Sequence, residues 1–483
     1  MKSDYSDVII GLEVHIQLTA LKTKLFCSCS SDYRDKEPNT NVCPVCLGLP
    51  GALPVLNEKA FDFAIMLALA LKCEISDKTL FFRKNYFYPD LPKNYQISQY
   101  DRAGGQPIGR NGVITIEIED EQKDITIRRL HIEEDPGRLV HEGDITESKV
   151  TLIDYNRSGI ALVEVVTDPV LHSPREARIF LQTLRNMVEH LGICDCKLSG
   201  SMRVDANISL KGFNRVEVKN ISSIKDVERA LRYEIVRQQK QIARGLQIPQ
   251  ETRHWDEINK ITRSMRTKET AQDYRYFPEP DLVVYTIDKE RVRRLKETLP
   301  ELPIERALRF MEEYKLPKYD AKVLTSNKSI ADFFEATIKL YNKPKVVSNW
   351  MMSEILRYLK ENDLEIYESF VTPEKLADML KLIDEGIISG KIGKKIVKIM
   401  INENKTPQEI VKEKGLVRIS DVTKIREIVD EVFDEFPKAV NDALKNPKAA
   451  EYLIGQVMRK TRGKADPQIT AKLVKEKLEK LKR

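Results

Sequence analysis

Three observations predict an α+β fold. Between residues 8 and 219, short segments alternate apolar and polar side chains, as half-buried strands do. Two capped helices interrupt these segments. Beyond Pro300, strand signals almost vanish and helical periodicity takes over, with Lys and Glu interleaved. At 483 residues the chain is too long for one compact core, so several domains are expected. A boundary near 290–300 and a linker around 402–415 divide it into three parts: residues 1–293, built on mainly antiparallel strands; an all-helical stretch, 294–410; and a small helical tail, 411–483.

The first strand is expected over residues 8–18, with Val8, Ile10, Leu12, Val14, Ile16 and Leu18 on one side and Gly11, Glu13, His15 and Gln17 on the other. Asn57 is placed to cap a helix running to about residue 71 that is apolar nearly all round and therefore buried. A turn-rich stretch follows over 85–112, where Gly104, Gly105, Gly109 and Gly112 read as a hairpin turn. Strands resume near Val113, Ile125, Ile160, Val204 and Val216. Ser173, Pro174 and Glu176 form a capping-box start to a helix with an apolar stripe from Ala177 to Leu191, stopped by Gly192. A second helix is expected over 225–245.

Composition bounds the function. With 41% hydrophobic and 32% charged residues, the chain reads as a globular protein with a heavily ionised surface. A net charge of +6 is too mild to demonstrate nucleic-acid binding by itself. The beginning of the sequence, with Asp4 and Asp7, lacks the basic and apolar segments of a signal peptide. The longest apolar run, 63–71, falls far short of the ~20 residues a membrane span needs. A cytoplasmic location is therefore expected, where cysteines serve as thiols or metal ligands rather than in disulfides.

Cys27, Cys29, Cys43 and Cys46 form C-x-C-x13-C-x2-C, the second pair in a Cys-Pro-Val-Cys-Leu-Gly knuckle. Four thiolates close a tetrahedral shell around Zn²⁺, and such a closed site is structural because no coordination position stays open. The competing readings are reduced loop thiols and, more weakly, a redox pair at Cys43 and Cys46. Cys73, Cys194 and Cys196 read as core thiols.

Residues 203–209 place Arg203, Asp205, Asn207 and Ser209 on one face, and residues 215–219 do the same for Arg215, Glu217 and Lys219. A three-residue hairpin loop would set Asn207 across from Glu217 and Asp205 from Lys219, whereas a four-residue loop would set Glu217 beside Ile208; parity therefore favours one sheet face carrying Asp205, Asn207, Glu217 and Lys219 together. The run Glu133, Glu134, Asp135 lies among Arg128, Arg129 and Arg138. The alternation breaks at the arginine pair, so pattern does not decide which glutamate faces the polar side. Carboxylates, an amide and a histidine gathered on a sheet face suit Mg²⁺; the alternative is a solvated face of ion pairs. No G-x-x-x-x-G-K-[ST] occurs, so any nucleotide site is of another kind.

Seven stretches carry a resemblance: residues 10–16 (IGLEVHI), 83–99 (RKNYFYPDLPKNYQISQ), 131–137 (HIEEDPG), 154–169 (DYNRSGIALVEVVTDP), 200–209 (GSMRVDANIS), 217–220 (EVKN) and 273–281 (DYRYFPEPD). In this order they resemble the B subunit (GatB) of the Glu-tRNA(Gln)/Asp-tRNA(Asn) amidotransferases over essentially the whole chain. Ala161 departs from the proline usual there. The resemblance implies a cradle-shaped catalytic domain, a helical domain and a tail. It also implies that Mg²⁺-ATP phosphorylates the side-chain carboxylate of Glu or Asp misacylated onto tRNA, and that ammonia then displaces the phosphate. By similarity Glu13, His15, Glu134, Asp205 and Glu217 would surround Mg²⁺, with His15 alternatively orienting a ligand from behind. Glu134, Glu133 and Lys84 would act in catalysis, and Lys84, Lys93, Arg203 and Lys219 would hold ATP.

No serine amidase signature is present, so the resemblance implies a partner amidase (the A subunit) that releases ammonia from glutamine, and a small C subunit that completes a heterotrimer. The tail carries Arg459, Lys460, Arg462 and Lys464 ahead of Ile469, Leu473, Leu478 and Leu481 at core-facing intervals. It is expected to meet tRNA phosphates, or else to be a solvated lysine face. Two other functions stay open at this point: a non-catalytic tRNA-binding scaffold, and a self-sufficient ligase acting on a small molecule.

Overall fold

The computed structural model describes residues 5–102, 104–119, 121–141, 150–267, 274–362, 364–416, 422–446, 449–461 and 464–482. Asp4, Arg462 and Asp273, named above, lie outside them. The chain forms two compact units, Met1–Leu302 and Pro303–Arg483.

The first unit opens with β1 (Val8–Gln17) and α1 (Glu58–Ala70), capped as expected by Asn57, whose side chain accepts from the Ala60 amide. The short strands β2 (Glu74–Ile75) and β3 (Lys78–Thr79) precede β4 (Phe82–Asn85), β5 (Tyr95–Ser98), β6 (Gly109–Ile118) and β7 (Glu121–Glu134). After β8 (Arg138–His141) and β9 (Thr151–Asp154) come β10 (Ala161–Thr167), α2 (Pro174–His190), β11 (Met202–Leu210), β12 (Val216–Ile221) and α3 (Ile224–Ala243). The unit closes with β13 (Glu251–Asp256), β14 (Ile261–Thr267), β15 (Phe277–Pro278), β16 (Tyr285–Thr286) and α4 (Lys289–Glu297).

Among the described residues nine strands form one sheet, in the order β14-β13-β12-β11-β1-β10-β7-β6-β2. Its pairings are antiparallel except β12 with β13, which the crossover helix α3 joins in parallel. Ile10, Leu12, Val14 and Ile16 of β1 share one core with the buried residues of α1, α2 and α3, including Phe61, Phe180 and Leu231. Because a strand alternates with period two, Glu13, His15 and Gln17 are left on the opposite face of this central strand.

Several local expectations are revised. The stretch expected to be turns, 85–112, holds β5 and the start of β6; β4 and β5 pair as a hairpin that joins β15 in a three-stranded sheet. Gly109 and Gly112 lie in β6. A Cβ at Gly112 would come within 2.4 Å of Cys73 Sγ and 2.8 Å of the Leu71 carbonyl, so glycine serves close packing there. At α2 the Ser173 hydroxyl accepts from the Glu176 amide. Glu176 does not complete the box on the Ser173 amide, because its carboxylate accepts from the His172 amide at 2.9 Å and from Lys123 at 2.7 Å.

In the second unit every regular element among the described residues is helical, from Pro303–Glu313 to Pro467–Lys482. One buried cluster gathers Phe310, Phe334, Met351, Ile396 and Ile410, and a separate one gathers Ile425, Val429, Leu453 and Val474. Leu473 and Leu478 are buried in the latter, whereas Leu481, expected to face a core, is 54% exposed. No helix among the described residues is long and apolar enough to cross a membrane.

Candidate active site

The polar face of β1 is flanked by β11 on one side and β10 on the other, and antiparallel register brings a different acidic set to each flank. On the first, Glu13 lies opposite Asp205 and Asn207 opposite Glu217. The three-residue hairpin loop is therefore realised near Asn207. A register shift between Val204 and Ala206 interrupts the ladder before Asp205, yet Lys219 Nζ still reaches Asp205 Oδ2 at 3.1 Å and Glu217 Oε1 at 3.1 Å. Asn207 donates to Glu13 Oε1 at 3.0 Å, and the Thr252 hydroxyl to Glu217 Oε2 at 3.0 Å.

On the other flank His15 lies opposite Glu164, and Leu162 opposite Glu133. His15 Nε2 sits 3.7 Å from Glu133 Oε1 and 3.8 Å from Glu164 Oε2. Within each triad, Glu13/Asp205/Glu217 and His15/Glu133/Glu164, one ligand atom per residue lies within 4.8 Å of the others. Glu13 and His15 are two residues apart on one strand, so the triads are neighbours about 7 Å apart along β1.

The electrostatics are those of a site short of positive charge. Burial, then the charges of Glu164, Asp205 and Glu217, push the Glu13 carboxyl above its ordinary pKa, with Lys219 opposing. Burial and Glu164 likewise raise Glu133, against Lys84, His15 and Ser98. Burial also opposes ionisation of Glu164, but His131, His15, Arg129 and Lys84 outweigh it and hold that carboxyl low. A hard divalent cation with oxygen and imidazole ligands fits either triad, and it would favour the ionised forms that burial disfavours.

Lys84, on β4, borders the second triad. Burial works against its ammonium, but Glu133, Tyr276, Tyr86 and Glu164 prevail and keep it charged. Its Nζ lies 5.2 Å from the Tyr274 ring centroid and 5.9 Å from that of Tyr86. The Ser98 hydroxyl, on the paired strand β5, donates to Glu133 Oε2 at 2.8 Å.

Other expected site residues are placed elsewhere. Glu134 is brought into neither triad: its carboxylate takes Lys93 Nζ at 2.5 and 2.6 Å and the Ile97 amide at 2.9 Å. Arg203 donates to Asp135 at 2.7 Å, where Gln17 also donates at 2.8 Å. Burial would raise the Asp135 carboxyl, but Arg157 and Arg203 hold it low. Sequence pattern did not point to Glu164. Its one signal was a lone charge inside an apolar run, and β10 is buried on both faces, so no alternation marked it. The buried His131, lying across from Glu164, went unmarked for the same reason.

Cys27, Cys29, Cys43 and Cys46 bring their sulfurs within 4.8 Å of one another. The Cys43 amide donates to Cys46 Sγ at 3.1 Å, and the fully buried Lys24 lies 3.7 Å from the same sulfur. Hydrogen bonding from Cys27 draws the Cys46 thiol down to about 4 against the opposing effect of burial, with Lys24 helping. Burial foremost pushes Cys29 up to about 11. An all-sulfur donor set with an amide aimed at sulfur and a thiolate already favoured suits Zn²⁺. In the tail, Lys460 pairs with Glu431 at 2.7 Å and Glu435 at 2.6 Å.

Comparison with known proteins identifies the family. The family model for the GatB/GatE catalytic domain matches residues 8–293, and that for the GatB domain matches residues 332–478. The chain is 50% identical over 472 residues to the B subunit of the aspartyl/glutamyl-tRNA(Asn/Gln) amidotransferase of Saccharolobus solfataricus, covering 98% of this chain and 99% of that one. It is 51% identical over 480 residues to the protein of the same name from Thermotoga maritima, covering 98% of each. Against its Carboxydothermus hydrogenoformans namesake it is 48% identical over 484 residues, covering 98% of this chain and 99% of that one. With the catalytic-domain match spanning more than half of the sequence and the identities extending over nearly its full length, the chain belongs to the GatB family.

Proposed function

We propose that this chain is the carboxylate-activating B subunit of a tRNA-dependent amidotransferase, a ligase that converts Glu-tRNA(Gln), Asp-tRNA(Asn) or both to the amidated forms. The observation that carries this reading is the pair of triads on the polar face of β1, with the Lys84 ammonium at their edge. Carboxylate activation by ATP has to bring together two anions, a phosphate chain and the substrate carboxylate, and a face that gathers cations and cation ligands answers that need.

In this reading Glu13, Asp205 and Glu217 hold one Mg²⁺, and His15, Glu133 and Glu164 hold another. A cation held there would supply positive charge against the phosphates and the substrate carboxylate. Lys84 and Lys219 approach the phosphates from the two ends of the face. Glu134, which the resemblance set among the metal ligands, contributes through its ion pair with Lys93, and Arg203, across from His15, holds Asp135. The γ-phosphoryl passes to an oxygen of the Glu or Asp side chain and ADP departs. Ammonia then attacks the acyl carbon and phosphate leaves with that oxygen.

The chain lacks a glutaminase signature, so ammonia comes from a partner amidase, the A subunit, with a small C subunit in the complex. Residues 1–293 form the catalytic cradle, 294–410 the helical domain and 411–483 a tail for the tRNA body. The four cysteines hold a structural Zn²⁺, and the protein works in the cytoplasm. The test is reconstitution with A and C subunits, followed by assay of both misacylated tRNAs with ammonium in place of glutamine. ATP-dependent formation of amidated tRNA supports the reading; no ATP turnover with either tRNA would leave only a binding scaffold.

A further inference from the structure

We propose that Gly48, in the turn of the cysteine knuckle, is a positioning residue for carboxylate activation: it seats the Lys93 side chain so that the ammonium grips Glu134. The inference rests on the reading of Lys93 and Glu134 given above. A Cβ at Gly48 would lie 2.2 Å from Lys93 Cγ and 3.1 Å from both Cβ and Cδ, so the lysine stem runs directly across the glycine. At the end of that stem Nζ holds both oxygens of Glu134, at 2.5 and 2.6 Å, and the Lys93 side chain is only 7% exposed.

The knuckle can act as a seat because it is itself fastened. Leu47 and Gly48 donate to the carbonyls of Cys43 and Val45, each at 3.0 Å, so the sulfur-bearing turn fixes where Gly48 lies. Ser158 donates to the Cys46 carbonyl at 3.3 Å, and Gly159 donates to the Asp135 carbonyl at 2.9 Å, one residue beyond Glu134. A Cβ at Gly159 would sit 3.4 Å from Cys46 Cβ and 3.9 Å from Glu134 Oε2. The cysteine knuckle therefore meets Lys93 directly at Gly48 and approaches Glu134 only through Gly159, which lies between Cys46 and that carboxylate. A Zn²⁺ held by the four sulfurs would stiffen the seat while remaining outside the chemistry.

Gly48→Ala introduces both the clash with Lys93 and a strained backbone, since φ is +67°. Gly51→Ala, in the same loop at φ +83° with nothing within 4 Å of its Cβ, introduces the strain alone. In the reconstituted complex with ammonium as donor, Gly48→Ala should lower kcat on the order of tenfold to a hundredfold with KM for tRNA unchanged. Gly51→Ala should leave both unchanged. In a Lys93→Ala background, Gly48→Ala should cost almost nothing further, because the residue it acts through is gone.

A second readout is independent of activity. Lys93 should be protected from an amine-acylating reagent, read by peptide mass spectrometry, in wild type and Gly51→Ala, and reactive in Gly48→Ala. It should also become reactive when zinc is extracted from the wild-type complex and protected again when zinc is restored, an arm that stands even where Gly48→Ala does not fold. Equal losses from Gly48→Ala in both backgrounds, equal effects of the two glycine variants, or Lys93 labelling indifferent to zinc would overturn the inference. A wild-type kcat for Lys93→Ala would instead overturn the reading of Lys93 on which it rests.

Discussion

Replacing Glu133 with glutamine should separate stability from activity. The oxygens of Glu133 and Glu164 that face His15 lie within 4.8 Å of each other. At an effective dielectric constant of about 20, like-charge repulsion at that distance is about 3 kcal/mol. Glu133→Gln relieves it while giving up an attraction to Lys84 of the same order, and the amide still has an oxygen for the Ser98 hydroxyl. The net change in folding stability should stay within about 1 kcal/mol, a shift of a few degrees in Tm at most. Activity should respond differently. An amide oxygen carries no formal charge to a divalent cation, and kcat should fall about 10²–10³-fold, or about 3–4 kcal/mol of barrier. The assays are thermal melting of the variant and ammonium-dependent amidation at saturating misacylated tRNA. Retention of more than about a tenth of wild-type kcat would refute the placement of Glu133 at the metal.

The remaining expectations can be tested on the same preparations. Folding raises the pKa of Glu13, so between the unfolded and native values the native state binds more protons, and stability contributed by this group falls as pH rises through that window. In chelator, the Tm of Glu13→Gln should therefore gain on wild type as pH climbs from about 4; a difference independent of pH would contradict the electrostatic account. The purified protein should contain about one zinc by elemental analysis, and Cys43→Ser should lose it together with several degrees of Tm. A zinc-free protein prepared without chelator would remove the metal from the account. Truncation after Leu416, which spares the buried Ile410 and Val411 of the preceding core, should weaken tRNA binding and lower its salt slope by about one unit or slightly less per lost phosphate contact. An unchanged slope would take the tail off the tRNA surface.

What the sequence revealed, and what it hid, follows from the register of the sheet. The alternation of β1 was legible because helices cover one of its faces, so Glu13 and His15 could be assigned to the polar side from pattern alone. The hairpin between β11 and β12 yielded to parity at Asn207 and Glu217 for the same reason, but not at Asp205, where the register shifts and the expected partner Lys219 is not in the ladder. Parity could not choose between Glu133 and Glu134: the pairing of β10 with β7 shifts between Val166 and Thr167, opposite the stretch from Arg129 to Ile127 where the alternation broke. Strands β4 and β5 were hidden because they are only four residues each and lie in a stretch rich in Pro, Asn and Asp. The Lys93–Glu134 pair and the Lys93 stem across Gly48 span 41 and 45 positions, and no local period reports contacts of that kind.

The central claim is that ATP is used to activate the side-chain carboxylate on the tRNA. It is tested most directly by labelling that carboxylate with ¹⁸O in Glu-tRNA(Gln) or Asp-tRNA(Asn), supplying ATP and ammonium to the reconstituted complex, and weighing the inorganic phosphate released. The account predicts one ¹⁸O in phosphate for each amide formed, because the oxygen that receives the phosphoryl group leaves with it. Amide formation accompanied by unlabelled phosphate would contradict it.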